Sequence, residues 1–144
     1  MDKQQYAQMV KEVSPGSKVA LNCLRAFFVG GTICLIGQLI KNALLSAQVA
    51  AADAALLSGA ILIVIAVLLT GAGLYSRLGK FAGAGSVVPI TGFANAITAP
   101  AIEYKKEGLV LGVGAKMFLI AGPVIVYGTM ASVLVGLLYY FLGR

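Results

Sequence analysis

"GKFAGAGSVVPITGFANAITAP", Gly79–Pro100, is the stretch on which the architecture of this chain turns. From Phe81 to Ile102 it runs 22 residues without a charge, long enough to cross a bilayer. Yet after Gly79 it holds Gly83, Gly85 and Gly92, two prolines, and the polar residues Ser86, Thr91, Asn95 and Thr98. Pro89 and Pro100 each lack a backbone donor, and the residues before them, Val88 and Ala99, are pushed away from helical angles. Unpaired backbone groups are not tolerated facing lipid. A broken segment at membrane depth is therefore buried in protein or lines a wet cavity.

The surroundings are those of a membrane protein. The 144 residues are 60% hydrophobic and 11% charged, with a mean hydropathy of +0.95. Soluble domains carry about 25% charge and 45–50% apolar residues, so this apolar surface exceeds what one core can hide. The net charge of +6 is spread between apolar runs rather than gathered on one face, which argues against a nucleic-acid partner. The chain contains no histidine, which excludes a His-based triad or a histidine metal site. Cys23 and Cys34 show no CxxC pairing and read as small apolar helix residues. No cofactor, metal site or catalytic residue is expected, and the chain does not read as an enzyme. No signal peptide is evident at the N-terminus.

Upstream, residues 1–16 read as an amphipathic segment. Tyr6, Met9, Val10 and Val13 share one helical face, with Lys3 and Lys11 off it. "SPGS" breaks it, and Ser17 is a reasonable N-cap for the next helix. Residues 17–144 then read as one transmembrane domain. Its first apolar run, Ala26–Ile40, rises only about 22 Å as helix, short of a roughly 30 Å hydrocarbon core, and Gly30, Gly31 and Gly37 interrupt it. The second, Ala54–Tyr75, is the cleanest span, with Asp53 at its N-terminal edge. Ala47, Ala51, Ala55 and Gly59 recur every four residues there, a face on which another helix can pack. Downstream of the opening stretch, "EYKKEG" reads as a solvated loop. The last region, Leu109–Leu142, is interrupted by Lys116 and Pro123, and Phe118–Leu142 is its convincing span. Gly128, Ser132 and Gly136 form a second small-residue packing face. Tyr139 and Tyr140 suit an interfacial belt. For Lys116, snorkelling to the interface is favoured over facing a cavity.

The expected fold is thus an all-α integral membrane protein of about four apolar segments. Two are clean spans and two are Gly/Pro-interrupted, short or re-entrant helices. A short or broken run followed by a long one occurs twice, at an offset of about sixty residues. This suggests an internal two-fold repeat, although residue identity between the halves is poor. The cations divide 7 to 4 across the membrane if all four runs span, and 9 to 2 if the third run enters and leaves on one side. With both short runs re-entrant the split is 6 to 5. The positive-inside rule favours three spans. The shortness of the chain favours four, with broken helices counted as spans, and four is the leading expectation.

A half-helix starting near Pro89–Thr91 would aim N–H groups into a cavity, where they attract anions. The candidate solute path is Gly83, Gly85, Ser86, Pro89, Thr91, Gly92, Asn95, Thr98 and Pro100. The candidate electrostatic mouth is Lys80, Lys105, Lys106 and Lys116.

Three blocks carry a family resemblance: "FVGGTICLIGQ" (Phe28–Gln38), "GKFAGAGSVVPITGFANAITAPAIEYKKEG" (Gly79–Gly108) and "GVGAKMFLIAGPVIVYG" (Gly112–Gly128). They resemble the stage V sporulation protein A membrane subunits, nearest the AC-type branch with the E-type branch next. The likeness covers nearly the whole chain. It implies a location in the forespore or spore inner membrane of an endospore-forming bacterium. It also implies a role in moving dipicolinic acid, with calcium, into the spore and out at germination. The partners it implies are a sister E-type membrane subunit and a soluble D-type, thiolase-like subunit that binds dipicolinate, in a homo- or hetero-oligomer. The alternative is a membrane scaffold that anchors the soluble subunit without conducting. A planar dianion suits a basic, glycine-rich broken helix better than an apolar seam.

Overall fold

The computed structural model describes Tyr6, Met9, Val10 and residues 18–143. Tyr6, Met9 and Val10 are helical and exposed. Val13, Lys3, Lys11 and the expected N-cap Ser17 lie outside the described residues. The helices are α1 (Val19–Ser46), α2 (Ala51–Gly71), α3 (Leu74–Ala82), α4 (Ala84–Val87), α5 (Ile90–Glu103) and α6 (Ala115–Leu142). A 3₁₀ turn at Lys105–Glu107 and a π-helical stretch at Leu109–Gly114 join α5 to α6. Among the described residues, three helical stretches are long and apolar enough to cross a membrane: Val19–Ser46, Ala51–Gly71 and Leu109–Leu142.

The first run differs from the expectation of a short, interrupted helix. α1 is 28 residues without a break. Two of its glycines, Gly30 and Gly37, serve close approach rather than a bend. A Cβ on Gly37 would stand 3.1 Å from Leu62 Cδ1, and one on Gly30 would stand 3.3 Å from the Gly85 carbonyl oxygen. Helix α2 returns antiparallel to α1 through a short turn at residues 47–50, and Ser58 Oγ donates to the Gly37 carbonyl at 3.2 Å. The buried face of α2 is Ala54, Ser58 and Ala66. That is one position away from the expected stripe: Ala47, Ala51 and Ala55 are exposed, while Gly59 is half-buried against the Ile90 side chain. A four-residue spacing of small side chains recurs on more than one face of so alanine-rich a helix. Only the partner selects among them.

The second run ends at Gly71, earlier than Tyr75, because Gly73 adopts φ 72° and turns the chain into α3. Helix α3 is amphipathic: Tyr75 and Ala82 are buried, and Ser76, Arg77 and Lys80 are exposed. The third run is broken. Gly83, at φ 52° and ψ −125°, turns α3 into the single turn of α4, and Pro89 is extended at ψ 163°. Pro100, by contrast, does not break its helix. α5 runs through it, and Tyr104 N–H donates to the Pro100 carbonyl at 2.9 Å. Ala99 stays helical despite the proline after it, in a helix that packs on α2 and α6.

The direction of α5 fixes the architecture. Ile90 meets Gly59, Ala94 clusters with Ala66 and Tyr75, and Asn95 bonds Thr70. Advancing along α5 thus advances along α2, so the two run parallel. Asn95 is already level with the last turn of α2, and Thr98–Glu103 continue beyond it. The chain therefore dips from the end of α2 to about its middle and returns to the same end. The start of α1 lies at that end too, where Arg25 stacks on Phe81 with the guanidinium carbon 5.0 Å from the ring centre. So does the start of α6, where Lys116 Nζ sits 4.4 Å from the centre of the Tyr104 ring. Lys18, Arg25, Arg77, Lys80, Lys105, Lys106 and Lys116 gather there, and Lys41 lies toward the opposite end.

Candidate functional site

The expected solute-path residues come together, but as a packed plug. Gly85 lies against α1, where a Cβ would stand 2.6 Å from Ala26 Cα. Ser86 is 0% exposed and Thr91 5%. Between them stands the hydroxyl of Tyr75, 2.7 Å from the Ser86 carbonyl and 3.0 Å from Thr91 Oγ1. Tyr75 donates to the carbonyl and accepts from Thr91. The Ser86 carbonyl precedes a helix break and a proline without an N–H, so the phenol supplies a donor the backbone cannot. Ser86 Oγ donates in turn to the Gly83 carbonyl at 3.1 Å.

One turn further, Thr70 Oγ1 stands 2.7 Å from the Ala66 carbonyl and 2.9 Å from the Asn95 side-chain oxygen position. A hydroxyl has one proton. Both contacts are satisfied together when Thr70 donates to Ala66 and the Asn95 amide nitrogen faces Thr70. Asn95, Thr98 and Pro100 are half-buried, as is Pro89. The buried side chains of the described residues leave no nitrogen or oxygen without a partner.

The first turn of α5 does not open into a wet cavity at Gly92. A Cβ there would stand 2.6 Å from the Ser86 carbonyl oxygen, so α4 itself fills the space expected for a solute. A cavity of about 370 Å³ reaches Thr91 and Tyr75 from the seam between α1 and α2, but its walls are mainly apolar, among them Val29, Ile33, Leu62 and Leu69.

The expected mouth divides. Lys105 and Lys106 are exposed on the 3₁₀ turn, and Lys80 is exposed on α3. Lys116 is half-buried and turned back onto Tyr104, in the first turn of α6. Among the described residues, the face Gly128, Ser132, Gly136 meets no other element at its glycines: no heavy atom lies within 4 Å of a Cβ at either, and Ser132 Oγ donates to its own helix's Gly128 carbonyl. Sequence reasoning missed Tyr75 and Thr70, the two partners that hold the plug. The signals were modest: Thr70 is one of two hydroxyl residues within α2, and Tyr75 is an aromatic hydroxyl just before Arg77.

Known proteins place this arrangement. Residues 22–138 match the family described as SpoVAC/SpoVAEB sporulation membrane protein. The chain is 48% identical over 139 residues to stage V sporulation protein AC of Bacillus subtilis (strain 168), covering 96% of this chain and 93% of that one. No solved structure matches it. On the extent of both matches, the chain belongs to the SpoVAC/SpoVAEB family of sporulation membrane proteins.

Proposed function

We propose that this chain is a membrane subunit of a channel or transporter for dipicolinic acid, moving it with calcium into the forming spore and releasing it at germination. Its place is the forespore or spore inner membrane, and its partners are the E-type membrane subunit and the soluble, thiolase-like D-type subunit. The carrying observation is the broken segment 83–100. It folds polar, breakable hydrogen bonds into the bundle, and no lipid-facing helix requires these. The bonds are satisfied internally, as a path in its closed state would require.

The membrane topology in this reading has three spans, with α3–α5 entering and leaving on the basic side. The gathering of seven cations at one end of the bundle supports it. Cysteines placed at Ser76 and Gly108, with Cys23 and Cys34 replaced by serine, are expected to react with an impermeant thiol reagent from the same side. Labelling from opposite sides would mean that the segment crosses.

For conduction itself, Gly92 is a poor probe because any side chain strikes α4. Asn95→Leu combined with Thr70→Val removes the polar pair while keeping volume. Dipicolinate flux through the complete assembly is expected to fall about tenfold, because the opened path would lose a polar contact to the solute worth about one hydrogen bond. Unchanged flux with normal assembly would sink the conducting role and leave the scaffold reading, which the fully satisfied plug also accommodates.

A further inference from the structure

A second cavity, of about 400 Å³, lies at the basic end of the bundle between the start of α1 and the α3–α4 corner. Its walls include Val19, Asn22, Cys23 and Ala26 of α1, and Lys80 and Phe81 of α3. The lining is two-sided in chemistry. Apolar side chains make most of it, and Lys80 and Asn22 supply the polar part. Arg25, stacked on Phe81, borders it, and Lys18 stands one residue before Val19. Opposing charge is absent from the lining: Asp53 is at the other end of the bundle, and Glu103 and Glu107, though at the basic end, sit where α5 leads into α6. The first turns of α1 and α3 carry no acid.

A soluble dianion would be poorly served by so apolar a wall. An amphipathic anion would be well served. We propose that this cavity seats one anionic phospholipid, its phosphate held by Lys80 and the Asn22 amide and an acyl chain lying along Val19, Ala26 and Phe81. Charge complementarity selects the headgroup, and the apolar lining selects the tail. The site rests on the membrane embedding of α1 and α3, not on the identity of the solute. It adjoins Gly83, where the broken segment begins, so an occupied cavity would brace that corner against α1.

The full-length protein, purified in detergent and offered equal phosphatidylglycerol and phosphatidylcholine, tests this by native mass spectrometry. The expected result is one retained phosphatidylglycerol per chain. Lys80→Gln is expected to weaken retention about fivefold, the worth of one cation near a membrane surface. Lys105→Gln, exposed on the 3₁₀ turn, is expected to keep it. No headgroup preference in the wild type would overturn the proposal. So would equal losses in both variants, which would mark diffuse surface charge. Displacement by millimolar glycerol 3-phosphate would overturn it in favour of a free-anion site. A dimer without bound lipid would show that a second copy fills the cavity.

Discussion

Replacing Gly85 with alanine is expected to cost about 3 kcal/mol of stability, the upper part of the range for overpacked cores. The added methyl group would stand 2.6 Å from Ala26 Cα and 2.8 Å from its carbonyl carbon. These are backbone atoms of a 28-residue helix, so no side chain can swing aside. Either α4 moves off α1 or α1 bends, and both disturb the plug that α4 anchors. Gly31→Ala is the matched control. Gly31 lies in the same helix with nothing within 4 Å of a Cβ, so alanine there is expected to be neutral or to stabilise by about 0.5–1 kcal/mol through helix propensity. Thermal unfolding of both variants in nanodiscs measures the difference. Similar midpoints would show that α4 does not rest on α1 as described.

Tyr75→Phe is the second large effect. The ring is 3% exposed and would stay in place, so the change isolates one hydroxyl. Its loss leaves the Ser86 carbonyl without its side-chain donor and Thr91 without its acceptor, in a site that water reaches poorly. A buried group left unpaired costs about 1–3 kcal/mol. The cost falls on the broken segment rather than on the α1–α2 hairpin. Hydrogen exchange is therefore expected to quicken at residues 83–95 while residues 30–40 of α1 stay protected. Tyr139→Phe, on the exposed end of α6, is expected to change neither. If exchange quickens uniformly in Tyr75→Phe, the hydroxyl supports the whole bundle and is not a local fastening of the plug.

The same two positions show where legibility stopped. Gly85 was visible in the sequence as a helix breaker near Pro89, but its more demanding role is contact. A glycine that accommodates a neighbouring backbone and one that only permits a turn are the same letter. Gly83 is the turn-former, at φ 52°, two residues away. Likewise Pro89 and Pro100 carry the same local penalty. Pro89 ends up before the first turn of a helix, where a missing N–H costs little. Pro100 sits inside one, in a helix that packs on α2 and α6. The plug residues Ser86, Thr91 and Asn95 were legible as polar groups too costly to leave bare in a membrane. Their partners were not, because Tyr75 and Thr70 lie 11 to 25 residues away and only the fold brings them near.

Composition alone settled that the chain is helical and membrane-embedded, because this much apolar surface has no other stable place, and lipid leaves the backbone no donors or acceptors but its own. Local sequence also settled that the third run is broken, since two glycines and a proline within seven residues cannot continue an ordinary helix. Whether the broken run crosses or returns depended on which neighbour each half meets. The Ile90–Gly59, Ala94–Ala66 and Asn95–Thr70 contacts turn α5 parallel to α2 and bring it back to the end of the bundle where α2 finishes, the packing on which the proposed three-span topology rests. Charge counting pointed the same way. Counting can rank topologies, but only packing gives a helix its direction.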